Sequence, residues 1–491
     1  MRKIFTAVAV AAVLLAAPGA ATAGGPGATP GSSGLGDIYY PDYGNGGYDV
    51  GHYDLKLGYQ PATDHLDGTA TITARATQHL SRFNLDFALT VSSVTVDGRP
   101  AAFAREGAHE LVVTPATDIK RHRNFTVVVT YSGVPSSVVV NGFTSWKRVS
   151  DGALAVNEPE SAWWWYPSND HPLDKATFDV SIAVPDGTQA VSNGVLKTEP
   201  YSVGGWTHWD WCTTTPTATY LAFMAIGKYD LVKGTGADGQ PLITAYATNL
   251  GEYGAAARAS IGRTPEIIAW GSTLFGPYPF EAQGGVAGPI DGIRFSLETQ
   301  TRPVYGYRAW RNGPNTSIIA HELAHQWFGD NVSVHNWTDI WLNEGFASYA
   351  EWLWSEHENM GTAQQVFDET YAFYPADSPF WQVLPGDPGA SDPFDAAVYD
   401  RGAMALHQLR LKVGDRKFFG ILAGWGKHKK FCDGSIAEFR AYAERLSGQD
   451  LSGLFNTWLY TKGRPNVATS PSLSAAVKPA SWEFIRMSRE H

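Results

Sequence analysis

His321-Glu322-Leu323-Ala324-His325 is followed, after 18 intervening residues, by Glu344 in Asn343-Glu344-Gly345. Two imidazoles four positions apart lie one above the other on a helix face, so both can reach a single ion. Glu322 sits about 100° further round that helix, where its carboxylate can lean toward a water held by the ion. Two His and one Glu leave the fourth tetrahedral position of a zinc ion open, which marks a catalytic rather than a structural site. The chemistry on offer is hydrolysis by a metal-activated water, with Glu322 as general base.

These groups must be positioned by two packed helices. Ile318, Ile319, Leu323, Ala324, Trp327 and Phe328 give the first an apolar face; Asn315, Thr316 and Ser317 offer capping oxygens before it, and Gly329-Asp330 closes it, so the spacing predicts a helix over 316–328. A second apolar-rich pattern over 339–357 holds Glu344 among Trp341, Leu342, Phe346 and Ala347. Packing the two together would bring the carboxylate to the imidazoles. Further helices are expected over 255–275, 404–413 and 436–446.

The rest of the chain frames this site. At 491 residues it can bury more than one core, and two to four domains are expected. Aromatics at 13% and charged residues at 17% describe a globular chain. A net charge of −11 repels phosphate backbones, which excludes a nucleic-acid partner. At the amino terminus Arg2-Lys3 precede an apolar run over 4–17 and the small-x-small Ala21-Thr22-Ala23, so 1–23 reads as a signal peptide and the protein as secreted. That run is too short for an ordinary span and no other stretch is long and apolar enough, so no membrane anchor is expected. Cys212 and Cys432 are the only cysteines; they lack metal-ligand spacing, and whether they pair is open.

Composition divides the chain. Residues 24–36, rich in Gly, Pro, Ser and Ala, read as a flexible leader. Residues 37–235 show short alternating or β-branched runs separated by turn signals such as Asp97-Gly98 and Asp186-Gly187, which predicts an antiparallel β-domain. After the glycine-rich 234–239 the pattern becomes helical, giving a catalytic domain over 236–467, and 468–491 reads as an irregular tail. The class is α+β, multidomain.

The zinc-helix stretch over 321–329, with Trp341-Leu342-Asn343-Glu344-Gly345-Phe346-Ala347, resembles the gluzincin aminopeptidases of the M1 type, the group of aminopeptidase N and leukotriene A4 hydrolase. The resemblance extends to Phe275-Gly276-Pro277-Tyr278-Pro279-Phe280, to Leu297-Glu298-Thr299-Gln300-Thr301, to Val398-Tyr399-Asp400-Arg401-Gly402-Ala403, and to Glu158-Pro159, Tyr166-Pro167 and Asp170-His171-Pro172. It implies an N-terminal β-sandwich or saddle on a thermolysin-like zinc peptidase domain, with one Zn²⁺ per chain on His321, His325 and Glu344. It also implies that Glu298 and Glu158 hold the free α-ammonium of a peptide, and that Tyr399 donates to the oxyanion. The implied protein is a monomeric exopeptidase acting on peptides with a free amino terminus. Around Glu298 the residues Phe295, Ser296, Leu297 and Thr299 replace the usual Gly, Ala, Met and Asn, and Val156 stands where a Gln is common, which leaves side-chain preference open. The chain ends soon after 458–465, which resembles the end of the catalytic domain, so no large C-terminal helical domain and a more open cleft are expected.

Two rival readings remain at this stage. The same metal site serves a zinc endopeptidase or an epoxide-hydrolysing relative. A non-catalytic protein could instead use Trp163-Trp164-Trp165 as an exposed surface for a glycan or another partner.

Overall fold

Alternation of buried and exposed side chains builds the first half. The computed structural model of the protein describes residues 27–140, 142–236, 238–467, 478–487 and 489, so the signal-peptide stretch 1–23 lies outside the described residues. A nine-stranded sheet carries Tyr48–Gln60, His65–Ala76, Asn124–Gly133 and Thr90–Val96 on one side and Ala176–Pro185 and Trp206–Thr217 on the other. Ala176–Pro185 alternates strictly, burying Phe178, Val180 and Ile182 against Tyr53 and Leu55, with Tyr53 stacked on Phe178 at 4.9 Å. Two four-stranded sheets complete the β-domain.

Three expectations are corrected here. The β-domain is not wholly antiparallel: Tyr48–Gln60 pairs parallel with Ala176–Pro185, because the chain passes through other sheets before it returns to that edge. The leader is partly ordered, since Thr29–Pro30 pairs beside Leu80–Asp86, with Thr29 N donating to His79 O at 2.8 Å and Gly31 N to Arg82 O at 2.9 Å. A short Gly- and Pro-rich strand covers an edge that would otherwise stay open. The domain boundary also moves back: Tyr229–Thr235 hairpins onto Pro241–Ala247 and opens the sheet of the second domain, whose order continues through Gln283–Ala287, Val304–Tyr305 and Ser296–Leu297. The composition shift thus falls at the end of that hairpin, where Gly236 N donates to Gln240 O at 2.8 Å.

The second domain is helical over this five-stranded sheet: α1 (Gly254–Ile261), α2 (Thr264–Phe275), α3 (Thr316–Ala324), α4 (Trp341–His357), α5 (Ala363–Phe373), α6 (Gly402–Val413), α7 (Asp415–His428), α8 (Ile436–Ser447) and α9 (Ser452–Phe455). The pattern over 255–275 is two helices, broken at Gly262-Arg263. The tail expected to be irregular contains α10 (Trp482–Met487), formed because Trp482 and Ile485 fall on one face and are both buried. Among the described residues no helix is long and apolar enough to cross a membrane. Cys212 and Cys432 are both free, which settles the pairing left open by spacing.

Helices α4 and α6 meet where both backbones need glycine. A Cβ on Gly402 would lie 3.1 Å from Gly345 Cα and 2.7 Å from Cδ1 of Trp341, a buried ring held by its Nε1 bond to Gly402 O. Gly402→Ala is expected to lose up to about 2 kcal/mol net, because overpacking costs about 1–3 kcal/mol and helix propensity returns only about 1 kcal/mol. A fall in the denaturant midpoint checks this, and an unchanged or higher midpoint contradicts it.

Candidate active site

Asn315 caps α3, its side-chain oxygen accepting from Ser317 N at 2.9 Å. His321 and Glu322 lie in the body of α3, and His325 is its C-cap. The helix therefore ends at Ala324, earlier than the apolar pattern suggested. His325 O accepts from Asp330 N at 2.9 Å, and Gly329 at φ +134° lets the chain turn away. Glu344 stands in the first turn of α4.

The two helices bring the three groups together. His321 Nε2 lies 3.3 Å and His325 Nε2 3.5 Å from Glu344 Oε2, and all three residues are buried. Ligands about 2.0–2.1 Å from a tetrahedral zinc stand roughly 3.4 Å apart, so the donor set and its spacing fit that ion. The opposite ring nitrogens are committed elsewhere: His321 Nδ1 donates to Glu351 Oε1 at 2.8 Å and His325 Nδ1 to Phe328 O at 3.1 Å. Both Nε2 atoms are thereby left to face the site. Glu344 is held below the usual carboxylate range: burial alone would raise it, but the His325 and His321 imidazoles overcome that. Glu351 is also held low against its burial, by the Arg489 guanidinium and the His321 bond.

The remaining residues singled out from the sequence converge on the same place. Burial pushes Glu322 up to about 8, against the lowering pull of His321 and His325. Glu298 follows the edge strand Ser296–Leu297 and is 2% exposed; its carboxylate accepts from Tyr220 OH at 3.4 Å and its carbonyl from Gln326 Nε2 at 3.0 Å. Glu158 reaches in from the β-domain, and carboxylate oxygens of Glu158, Glu298 and Glu344 lie within 4.8 Å of one another. Its Oε1 is buried without a hydrogen-bond partner. Burial, with the neighbouring Glu298 and Glu344 charges, raises Glu158 well above its usual range. Tyr399, in a wide helical turn before α6, sets its ring 6.0 Å from that of His321 and nearly parallel to it. Burial and then Glu344 raise its phenol far above the ordinary value, so it stays a neutral donor.

Glu158 also lines a cavity of about 740 Å³ with Tyr40, Tyr43, His109, Glu160 and Trp163. Phe295 is part-buried against the core beside the edge strand, and its carbonyl accepts from Gly306 N at 3.0 Å. Trp163, Trp164 and Trp165 are buried, and Trp163 stacks on Trp164 at 3.4 Å, so the exposed-aromatic surface of the binding-protein reading does not exist.

Sequence reasoning missed Glu351, Gln326 and Arg489. Glu351 lies seven residues after Glu344, two helical turns along the same face, and that spacing was a usable signal. Gln326, which holds Glu298 O and Asp330 Oδ2, sits next to His325 but carries no pattern of its own.

A β-domain closing over a two-helix His-His-Glu cluster defines the chain's class as a two-domain zinc metallopeptidase fold. The model described as the Peptidase M1 N-terminal domain matches residues 50–221 and that of the Peptidase family M1 domain matches 308–458, together more than half of the chain. The chain belongs to peptidase family M1. It is 26% identical over 450 residues to glutamyl aminopeptidase of Sus scrofa, covering 84% of this chain and 47% of that protein. It is also 26% identical over 336 residues to aminopeptidase M1 of Arabidopsis thaliana, covering 64% and 37%. The chain thus spans about half the length, or less, of these curated relatives. A solved M1 zinc metallopeptidase of Deinococcus radiodurans superposes with a TM-score of 0.79 at 29% identity, covering 89% of this chain and 98% of that one. A variant of that protein has been solved with a Tyr-Ser-Ala substrate bound.

Proposed function

We propose that the protein is an exported zinc aminopeptidase that removes amino-terminal residues from peptides. The observation that carries this reading is the Glu158–Glu298 pair beside the His321, His325 and Glu344 cluster. Carboxylate oxygens within 4.8 Å of one another, one of them a buried Glu158 oxygen without a partner, call for a cation, and the free α-ammonium of a peptide suits that place. Export is supported by the charged, apolar and small-x-small order of residues 2–23.

His321, His325 and Glu344 would hold the zinc ion, which would supply a Lewis acid and lower the pKa of water. Glu322 takes the proton from the attacking water and passes it to the leaving amine. The Tyr399 hydroxyl donates to the oxygen that becomes negative as the carbonyl is attacked, and being neutral it does so without an opposing charge of its own. Glu158 and Glu298 fix the first residue, so that the bond one residue from the amino terminus is presented to Glu322 and Tyr399. Chelation is expected to abolish hydrolysis of aminoacyl amides, and one equivalent of zinc to restore it. Activity that survives exhaustive chelation, with the protein shown to be metal-free, contradicts the proposal.

A further inference from the structure

The last described stretch of chain packs behind the two ligand helices. Ser481 Oγ lies 2.7 Å from Ser355 Oγ on α4, and Ser481 N donates to Met360 O at 3.3 Å. On α10, Arg486 Nη1 donates to Tyr374 OH at 3.1 Å and to Asp400 Oδ2 at 3.3 Å. Beyond α10, Arg489 inserts a side chain that is only 2% exposed. Its Nη1 donates to Glu351 Oε1 at 2.7 Å and its Nε to Asp400 Oδ1 at 2.9 Å, and its guanidinium carbon lies 5.5 Å from the centroid of the Tyr399 ring.

Glu351 Oε1 is the same atom that accepts from His321 Nδ1, and Asp400 adjoins Tyr399 in the chain. One guanidinium therefore joins the support of a zinc ligand to the support of the oxyanion donor. We propose that Arg489 is a positioning residue, which fixes Glu351 against His321 and Asp400 beside Tyr399, so that Arg489 and the 478–487 stretch complete the metal site from behind. The inference rests on reading His321, His325 and Glu344 as a zinc site.

The physical case is one of charge and shape. The Glu351 and Asp400 side chains are 0% and 3% exposed, and two buried carboxylates without a shared cation would repel and reorient. A planar fork can engage both at once, whereas a lysine ammonium on the same stem is a single point charge. Carboxylates that orient a ligating imidazole typically change metal affinity by about 10–100-fold when disturbed.

The test uses the full chain and the variants Arg489→Ala, Arg489→Lys and Lys478→Ala. Lys478 is a control on the same segment, half-exposed, paired with Glu483 and lying 5.8 Å from the Trp482 ring centroid on α10. Zinc affinity is read by chelator competition, kcat and KM on a free aminoacyl amide, and folding by circular dichroism. Arg489→Ala is expected to keep its spectrum, bind zinc about 10–100-fold more weakly, and lose kcat with KM little changed. Millimolar methylguanidinium is expected to recover part of both losses, and Lys478→Ala to behave as wild type. Wild-type zinc affinity and kcat in Arg489→Ala overturn the proposal. If that variant does not fold, Arg489→Lys decides: affinity equal to wild type overturns the proposal, and a several-fold loss supports it. Absence of zinc binding in the wild type would instead defeat the function reading itself.

Discussion

Glu322→Gln is expected to keep a full equivalent of zinc while kcat falls by about 10²–10⁴-fold, the usual contribution of a positioned general base. The substitution preserves volume in a side chain that is 4% exposed, so neither α3 nor the packing around it has reason to move. It also leaves untouched the bonds that aim the ligands, His321 Nδ1 to Glu351 and His325 Nδ1 to Phe328 O. Only the capacity to take and return a proton is lost. Metal content by atomic absorption together with steady-state turnover checks this; a variant retaining more than a tenth of wild-type kcat removes Glu322 from the base role.

Glu298→Ala is expected to lower kcat/KM for substrates with a free amino terminus by roughly 10–100-fold, since a hydrogen bond to a charged group contributes about 1.5–3 kcal/mol. Glu158 still faces the ammonium, which limits the loss. The edge strand should hold its place, because Gln326 binds the Glu298 carbonyl rather than its carboxylate. Any residual turnover of N-acetylated substrates should be unchanged, as they carry no ammonium to anchor. An equal loss on both substrate types would show that the variant had disturbed the site as a whole.

The metal cluster was legible because its geometry is local. His321 and His325 lie four positions apart on one helix, and a strongly apolar pattern marks the helix bearing Glu344, so only one packing contact had to be guessed. Glu158 was legible only through the family resemblance, since 163 residues of chain and a domain boundary separate it from His321. Glu351 carried a periodic signal that was not used. Arg489 carried none: its position behind the His321, His325 and Glu344 cluster depends on how the 478–487 stretch packs against α4, a long-range packing outcome that no local pattern encodes. The misplaced domain boundary has a related cause. The glycine-rich 234–239 marks a change of composition, and only the pairing of Tyr229–Thr235 with Pro241–Ala247 shows to which domain the strand before it belongs.

Whether Glu158 and Glu298 select a free amino terminus for a zinc-dependent cut is decided by one substrate comparison. Matched free and N-acetylated aminoacyl fluorogenic amides are assayed with the zinc-loaded and the chelated protein. Turnover of the free amides alone is expected, lost on chelation and regained with zinc. Comparable turnover of the acetylated series by the zinc-loaded protein would contradict it.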